Sequence, residues 1–323
     1  MAFEIEISDE QRKYLEKTRD RQIKPFLDLP LKQEIGNEDY VVLGVPYDTT
    51  TTGRSGARSG PRAIRRFSGR IGRPVPGEDD GTEVRGMDLG DIPVMNGYTF
   101  ESLTLITENV GRVLNAGAIP LVFGGDHLIA YAELKAYAKK YGPVAMVHFD
   151  SHNDTSDYGV EWVHGTPFRR AIEDGYLDAE HSVQIGIRGY AESYRNDYGI
   201  EKGMDIIVAR ELHRIGTDQA ARRIREHVGN APVFITFDID FLDPSCAPAT
   251  GTPVAGGFQT YQATDIILKA LPGLDIKGFD IVEVMEDYDP GQITAAAATR
   301  IAIDFIEVIR RNKNKHQEES LWK

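Results

Sequence analysis

Three apolar runs in this chain end in side chains that can hold a cation, and this pattern limits the fold before anything else does. Val144–Asp154 (VAMVHFDSHND) begins as a strand and finishes in Asp150, His152 and Asp154. Residues i, i+2 and i+4 of a strand point to one side, so the three converge where the strand runs out into a loop. Val233–Asp240 (VFITFDID) repeats the arrangement with Asp238 and Asp240, and Leu121–His127 (LVFGGDH) passes through Gly-Gly to His127. Open α/β sheets gather their sites at the carboxyl ends of strands. The expectation is a sheet that brings these ends together, with His127, Asp150, His152, Asp154, Asp238 and Asp240 holding a two-metal centre.

The rest of the chain supplies such a sheet. Further strands are read at Tyr40–Val45, within Thr82–Val94, and at Ala118–Phe123, His181–Arg188, Met204–Val208 and Asp275–Val284. Helical patterns are read at Asp9–Asp20, Glu101–Asn115, His127–Tyr141, Glu211–Val228, Thr260–Leu271 and Ile293–Arg311. Ser59-Gly60-Pro61 opens another, with Pro61 near its first position. The polar tail from Asn312 is expected to fray. Alternating strands and helices argue for a parallel sheet covered on both faces. The 323 residues allow one large domain or two ordinary ones. Without a repeat or a linker, residues 39–323 are read as one α/β domain and 1–38 as a charged arm, either solvated or packed on a neighbouring subunit.

Charge and cysteine use narrow the function. A formal net charge of −13 argues against a nucleic-acid partner and favours small cations through long-range attraction. Cys246 is the only cysteine, so no internal disulfide is expected and a reducing compartment suits the chain. It is read as a buried loop thiol. No apolar leader and no membrane-length stretch is found, which points to a cytoplasmic protein without a membrane partner. The glycine-rich, basic loop after Pro46 lacks the spacing of a phosphate-binding loop.

Four aspartates and two histidines form a hard, oxygen-rich donor set. It suits Mn(II), then Ni(II), Co(II) or Zn(II). The lack of thiolates argues against structural zinc. Six ligands exceed what one open catalytic metal needs, so two Mn2+ per subunit are expected, with Ni2+ or Co2+ as substitutes. Two metals roughly 3.5–4 Å apart can share and polarise one water, giving hydroxide near neutral pH. Each ligand alone is a weak signal, since a lone Asp is more often a cap and a lone His a satisfied core or surface residue. His148, His181, His213, His227 and His316 are therefore given no role. The Asp-x-His-x-Asp spacing, matched by Asp-x-Asp on a second apolar strand, is the strong signal.

GGDH at 124–127, FDSHND at 149–154, FDIDFLDP at 237–244, ATGTPV at 249–254 and VEV at 282–284 resemble the ureohydrolase family, arginase and agmatinase among them. The resemblance runs from about Tyr40 to about Arg310. GVPYDTTTTGRSGARSGPRAIR, HGTPF and VQIGIR look nearest to the agmatinase branch. It implies a three-layer α/β/α fold with a mainly parallel central sheet. It also implies that His127, Asp150, Asp154 and Asp238 hold one manganese and Asp150, His152, Asp238 and Asp240 the other. The implied reaction cleaves a guanidino group to urea and an amine, by default agmatine to putrescine. A guanidinium is a poor electrophile, so it needs a strong nucleophile and a carboxylate that orients it by charge-assisted hydrogen bonds. Glu283 matches the family's guanidinium-binding glutamate. His164 matches a loop histidine suited to carrying protons, and Asp154 is counted with these two as catalytic. Thr252 matches a threonine beside the substrate, the competing reading being a hydroxyl that bonds its own turn. The resemblance also implies a homo-oligomer, trimer or hexamer.

Several positions depart from the family or bear on specificity. Ser151 stands where the family carries alanine, and strand alternation predicts that Ser151 and Asn153 point away from the metals. Ser156 and Gly189-Tyr190-Ala191 lack the groups that arginases use for the α-carboxylate and α-amine, which disfavours arginine. Glu286 and Asp287 are read either as partners of a distal ammonium or as a solvated loop edge, and Trp162 as a pocket wall or as packing. A narrowed pocket would suit guanidinobutyrate, guanidinopropionate, guanidine or its alkyl derivatives. Arg54, Arg58 and Arg188 leave an acidic substrate open. A single-zinc deacetylase of related fold is disfavoured by the intact His127, Asp154, Asp240 and Glu283. A non-catalytic structural or regulatory subunit is disfavoured because every ligand, His164 and Glu283 are all present.

Overall fold

The structure, a computed structural model, describes residues 5–18, 23–71, 82–157, 159–188 and 197–321. Gly189-Tyr190-Ala191 lies outside them. Its strands are β1 Tyr40–Gly44, β2 Gly86–Asp91, β3 Ile119–Phe123, β4 Ala145–Phe149, β5 Val183–Ile185, β6 Asp205–Ile207, β7 Pro232–Asp238 and β8 Asp275–Val282. They form one sheet in the order β2-β1-β3-β8-β7-β4-β5-β6, with every pairing parallel. Each strand expected from the sequence is present, with ends shifted by a few residues.

The helices are α1 Asp9–Thr18, α2 Gly60–Ser68, α3 Thr99–Asn115, α4 Ile129–Tyr141, α5 Pro167–Glu173, α6 Asp197–Glu201, α7 Ala209–Val228, α8 Thr260–Ala270 and α9 Ile293–Leu321. Strand alternation divides the core between two helical layers. Tyr40 and Val42 of β1 join the cluster that contains α2, α7, α8 and α9 residues, while Val41 and Leu43 join that of α3 and α4. The result is a three-layer α/β/α fold. Such strands, buried on both faces, read as continuous apolar runs. The expected fraying at Asn312 does not occur, because α9 continues to Leu321; the added Lys, Gln and Glu residues favour helix. Within residues 1–38, Phe26 is fully buried with its ring edge on Phe123, and Leu31 bridges to Asp88. No helix among the described residues is long and apolar enough to cross a membrane.

Strand order positions the site. The four strands followed by candidate site residues, β3, β8, β7 and β4, are consecutive neighbours in the sheet. The chain leaves β3, passes over two places that β8 and β7 fill later, and resumes at β4, which makes the crevice expected at a topological switch. Gly125 closes it tightly: a Cβ there would lie 1.6 Å from the Tyr47 carbonyl oxygen. The Gly125 carbonyl accepts from the Glu283 amide at 2.9 Å, which ties the turn before His127 to the end of β8.

Candidate metal centre

Four strand ends deliver the acidic and imidazole groups to one place. His127 Nδ1 lies 2.9 Å from Asp154 Oδ2, 3.2 Å from Asp150 Oδ2 and 3.4 Å from Asp238 Oδ2. His152 Nδ1 lies 3.1 Å from Asp240 Oδ2 and 3.5 Å from Asp150 Oδ1. Asp150 thus reaches both histidines. Asp238 joins the two halves from the other side, since its Oδ1 accepts from the Asp240 amide at 2.8 Å. Asp154 turns back toward the cluster with a left-handed φ of 49°, a conformation that costs a side-chain-bearing residue energy and recurs at functional sites.

The donor set fits divalent cations. Asp150, Asp238 and Asp240 are buried, and like charges this close cannot all persist without compensation. Burial, then Asp240 and Asp150, push Asp238 well above the carboxylate range; burial, then Asp150, raise Asp240. Burial also works against an ionised Asp150, but His148, His127 and His152 outweigh it and hold this carboxyl well below its usual range. His127 Nδ1 is buried with no hydrogen-bond partner, and the atoms facing it are carboxylate oxygens. Oxygens and imidazole nitrogens without thiols are ligands for hard or borderline divalent metals. His127, His148, Asp150 and Asp154 could hold one ion, and Asp150, His152 and Asp240 a second.

His148, given no role from the sequence, belongs to this cluster. The Gln184 side-chain amide donates to its Nδ1 at 3.0 Å and to the Asn153 carbonyl at 2.6 Å. The proton of His148 is therefore on Nε2, which donates to Asp150 Oδ2 at 2.7 Å. His148 steers that carboxylate. The available signal was its place two residues before Asp150 on the same side of β4.

Ser151 corrects a second expectation. Its amide and hydroxyl both donate to Asp240 Oδ1, at 3.0 and 2.7 Å, and its Oγ lies 3.0 Å from His152 Nδ1. It does not point away, because β4 ends at Phe149 and the two-residue period no longer applies beyond it.

Glu283 and His164 meet beside the cluster. Glu283 Oε1 accepts from the His127 amide at 3.0 Å and lies 2.9 Å from His164 Nδ1. Its Oε2 is buried with no partner, and its backbone is left-handed, with φ 62°. At the other edge of the His164 ring, Nε2 lies 3.1 Å from the Thr52 amide and 2.7 Å from its hydroxyl. A neutral ring accepts the amide there; a charged ring donates to the hydroxyl. Burial favours the neutral ring, but Glu283, then Asp154 and Asp126, raise His164 to about 9. Thr52 was not singled out from four successive threonines, which look alike in sequence. Asp126 holds the same loop, accepting from the Thr50 amide and hydroxyl at 2.9 and 2.7 Å. Burial, then the charge of Glu283, raise Asp126 to about 7.

The residues read for specificity have other partners. The Thr252 hydroxyl lies 3.4 Å from Asp240 Oδ2. Trp162 packs edge-on against Phe100 and Tyr131, at 5.3 and 5.1 Å. Both oxygens of Glu286 are engaged, Oε2 by Arg62 at 2.6 Å and Oε1 by Arg66 at 3.1 Å. The Arg188 guanidinium donates to the carbonyls of Gly186, Asp240, Phe241, Leu242 and Val254. Arg58 pairs with buried Asp48, and Arg54 lies over the Tyr288 ring. These contacts remove Arg188 and Arg58 as ready partners for an acidic substrate.

Comparison with known proteins agrees with the geometry. Residues 38–307 match the model of the arginase family. An agmatinase of Neisseria meningitidis serogroup C is 41% identical over 287 residues, covering 87% of this chain and 91% of that protein. The proclavaminate amidino hydrolase of Streptomyces clavuligerus superposes with a TM-score of 0.85 at 38% identity, covering 90% of this chain and 98% of that one. A hypothetical agmatinase from Burkholderia thailandensis gives a TM-score of 0.83 at 38% identity, covering 91% and 92%.

Proposed function

The chain belongs to the arginase family, and from that premise we propose that it is an amidinohydrolase converting agmatine to putrescine and urea. One observation carries the reading: Glu283 Oε2 is buried and free beside a cluster suited to two metals. A guanidinium is the cation that such a carboxylate oxygen can orient through directed N–H donors.

We assign His127, Asp150, Asp154 and Asp238 to one metal and Asp150, His152, Asp238 and Asp240 to the other, with Mn2+ preferred and Ni2+ or Co2+ as substitutes. Bound there, the cations supply Lewis acidity and hydroxide near neutral pH. Glu283 offers Oε2 to the guanidinium, while the His127 amide and His164 hold Oε1 and stop the carboxylate from turning. His164, charged at neutral pH by its carboxylate neighbours, gives a proton to the departing nitrogen as the carbon–nitrogen bond breaks. Water supplies the urea oxygen and a proton, so guanidinium and water become urea and an alkylammonium. Thr52 keeps the ring in place from its far edge. Thr252 steadies Asp240, and Asp154 serves both as ligand and as part of the field that charges His164.

A second reading keeps the mechanism and changes the guanidine. Glu286, the candidate for a distal ammonium, is engaged by two arginines, and the similar Streptomyces enzyme is named for another guanidino compound. Guanidinobutyrate, guanidinopropionate, guanidine and alkylguanidines then become the substrates. Trp162, packed between two rings, would act only indirectly. We extend the proposal to residues 39–323 as one catalytic unit with 1–38 as its arm, and to a homo-oligomer, trimer or hexamer, in the cytoplasm.

The test is urea release from agmatine, guanidinobutyrate, guanidinopropionate, arginine, methylguanidine and guanidine, with protein loaded separately with Mn(II) and Ni(II). Strong turnover of agmatine alone supports the first reading. Turnover of a short or acidic guanidine instead supports the second. No urea from any of them, with two metals bound, overturns both.

A further inference from the structure

Behind His127 lies a second pair of buried acids that the proposed reaction does not use. Glu133 on α4 and Asp280 on β8 are both fully buried. Glu133 sits one helical turn before Tyr137, whose hydroxyl is 3.4 Å from Glu133 Oε2. Gly278 on β8 makes room for that ring, since a Cβ there would lie 2.0 Å from the Tyr137 oxygen. Asp280 is the register partner of Thr236. Its Oδ1 accepts from the Phe237 amide at 3.1 Å, and it hydrogen-bonds the Thr236 side chain and the Glu133 carboxyl.

Glu133 Oε1 and Asp280 Oδ2 are left with no donor. Two carboxyl groups in contact and out of water cannot both ionise. One proton held between them satisfies both oxygens. Burial, then the charge of Asp280, hold Glu133 well above the carboxylate range, and burial also raises Asp280.

The pair connects to the cluster through one hydroxyl. Thr236 Oγ1 lies 2.9 Å from His127 Nε2. A hydroxyl has one hydrogen. If Thr236 donates it to Asp280, its oxygen can only accept from His127, so Nε2 carries the ring proton and Nδ1 keeps its lone pair. Without that acceptor, the hydroxyl can turn toward Nε2 and move the ring proton to Nδ1, where it would face Asp150, Asp154 and Asp238. Partners of this kind fix the tautomer of a metal-binding histidine.

We propose that Glu133 and Asp280 share one proton and, through Thr236, act as a positioning relay that keeps the His127 Nδ1 lone pair directed at the cation site. The relay rests on reading the cluster as a metal centre. Tyr137 caps its outer end.

The test combines chelator-competition titration of Mn(II) with infrared spectroscopy of the metal-loaded full-length protein. Thr236→Val keeps the shape and removes the hydroxyl; it should weaken Mn(II) binding roughly 10–100-fold without lowering the melting temperature of the metal-free protein in step. Glu133→Gln supplies an amide N–H in place of the shared proton. It should bind Mn(II) within a few-fold of wild type while losing a protonated-carboxyl band that the wild type shows. Wild-type affinity in Thr236→Val, or a wild-type spectrum without that band, overturns the relay. Parallel loss of affinity and metal-free stability in Thr236→Val reduces it to a fold contact and also overturns it. A wild-type protein that binds no Mn(II) overturns the underlying reading and the relay together, whereas binding that is equal in all variants overturns the relay alone.

Discussion

The Ser151 hydroxyl donates to Asp240 Oδ1 at 2.7 Å, and the Ser151 amide donates to the same oxygen at 3.0 Å. Two donors on one oxygen leave Asp240 Oδ2, the atom 3.1 Å from His152 Nδ1, to face the cation site. Ser151→Ala removes the stronger donor and keeps the amide. A hydrogen bond to a charged group contributes about 1.5–3 kcal/mol, so one of the two bound metals should weaken by roughly tenfold or more. Stepwise chelator titration checks this: two metals released as in wild type would mean that the hydroxyl does not position Asp240.

Glu283→Gln should retain both metals and lose turnover. The amide is nearly isosteric, so the left-handed backbone at φ 62° need not change. The charge that orients a guanidinium is gone, however, and charge-assisted hydrogen bonds are about twice as strong as neutral ones. A fall in kcat of at least about 100-fold is expected, as for removal of one preorganised group at a reacting centre. Urea release with metal analysis on the same sample decides it; near-normal urea output would refute the role given to Glu283.

Asp238→Ala should empty both metal positions. Asp238 faces His127 through Oδ2 and holds the Asp240 amide through Oδ1, so its loss loosens both halves of the cluster. Metal content after desalting should drop from about two ions per chain to less than one, with activity lost. Two retained ions would show that Asp150 alone bridges the centre.

The strands were legible because each is apolar on both faces and bounded by turn residues. The six clustered ligands were legible because their spacing repeats on neighbouring strands. What failed was whatever depended on where a strand stops or on a partner far along the chain. Ser151 was assigned the wrong direction because β4 ends two residues before it. Arg188 looked like an anion partner, yet it clamps carbonyls such as Asp240 and Val254, 52 and 66 residues away. Helices α5 and α6, with 7 and 5 residues, are too short to show a period. Glu133 sits in an apolar helix pattern that gives no hint of Asp280 on β8.

His164 makes stability depend on pH in a defined direction. Its pKa is raised from about 6.5 in the unfolded chain to about 9 in the fold by Glu283, Asp154 and Asp126 acting against burial. A raised pKa stabilises fully below the unfolded value and is lost as pH rises through the folded value. In metal-depleted protein, the wild-type advantage over His164→Asn should be complete below about pH 6.5 and vanish by about pH 9. Its size is on the order of 3 kcal/mol, at about 1.4 kcal/mol per pKa unit. Denaturant unfolding at several pH values measures the difference; an advantage that grows with pH would reverse the sign and exclude a charged His164.

Glu286 separates the two substrate readings. Its carboxylate is held by Arg62 and Arg66, whose side chains are 70% and 62% exposed. Exposed ion pairs contribute about 0–1 kcal/mol, so Glu286→Gln should leave stability nearly unchanged. If the pair is only a loop fastening, kcat/KM should stay within about threefold of wild type for every guanidine, since less than 1 kcal/mol is at stake. If Glu286 leaves its arginines to meet a distal ammonium, KM for agmatine should rise roughly tenfold or more, as loss of a charge-assisted contact predicts. Methylguanidine, which has no second cation, should then be unaffected. The structure favours the first outcome, because an ammonium would have to displace two guanidinium groups already in place.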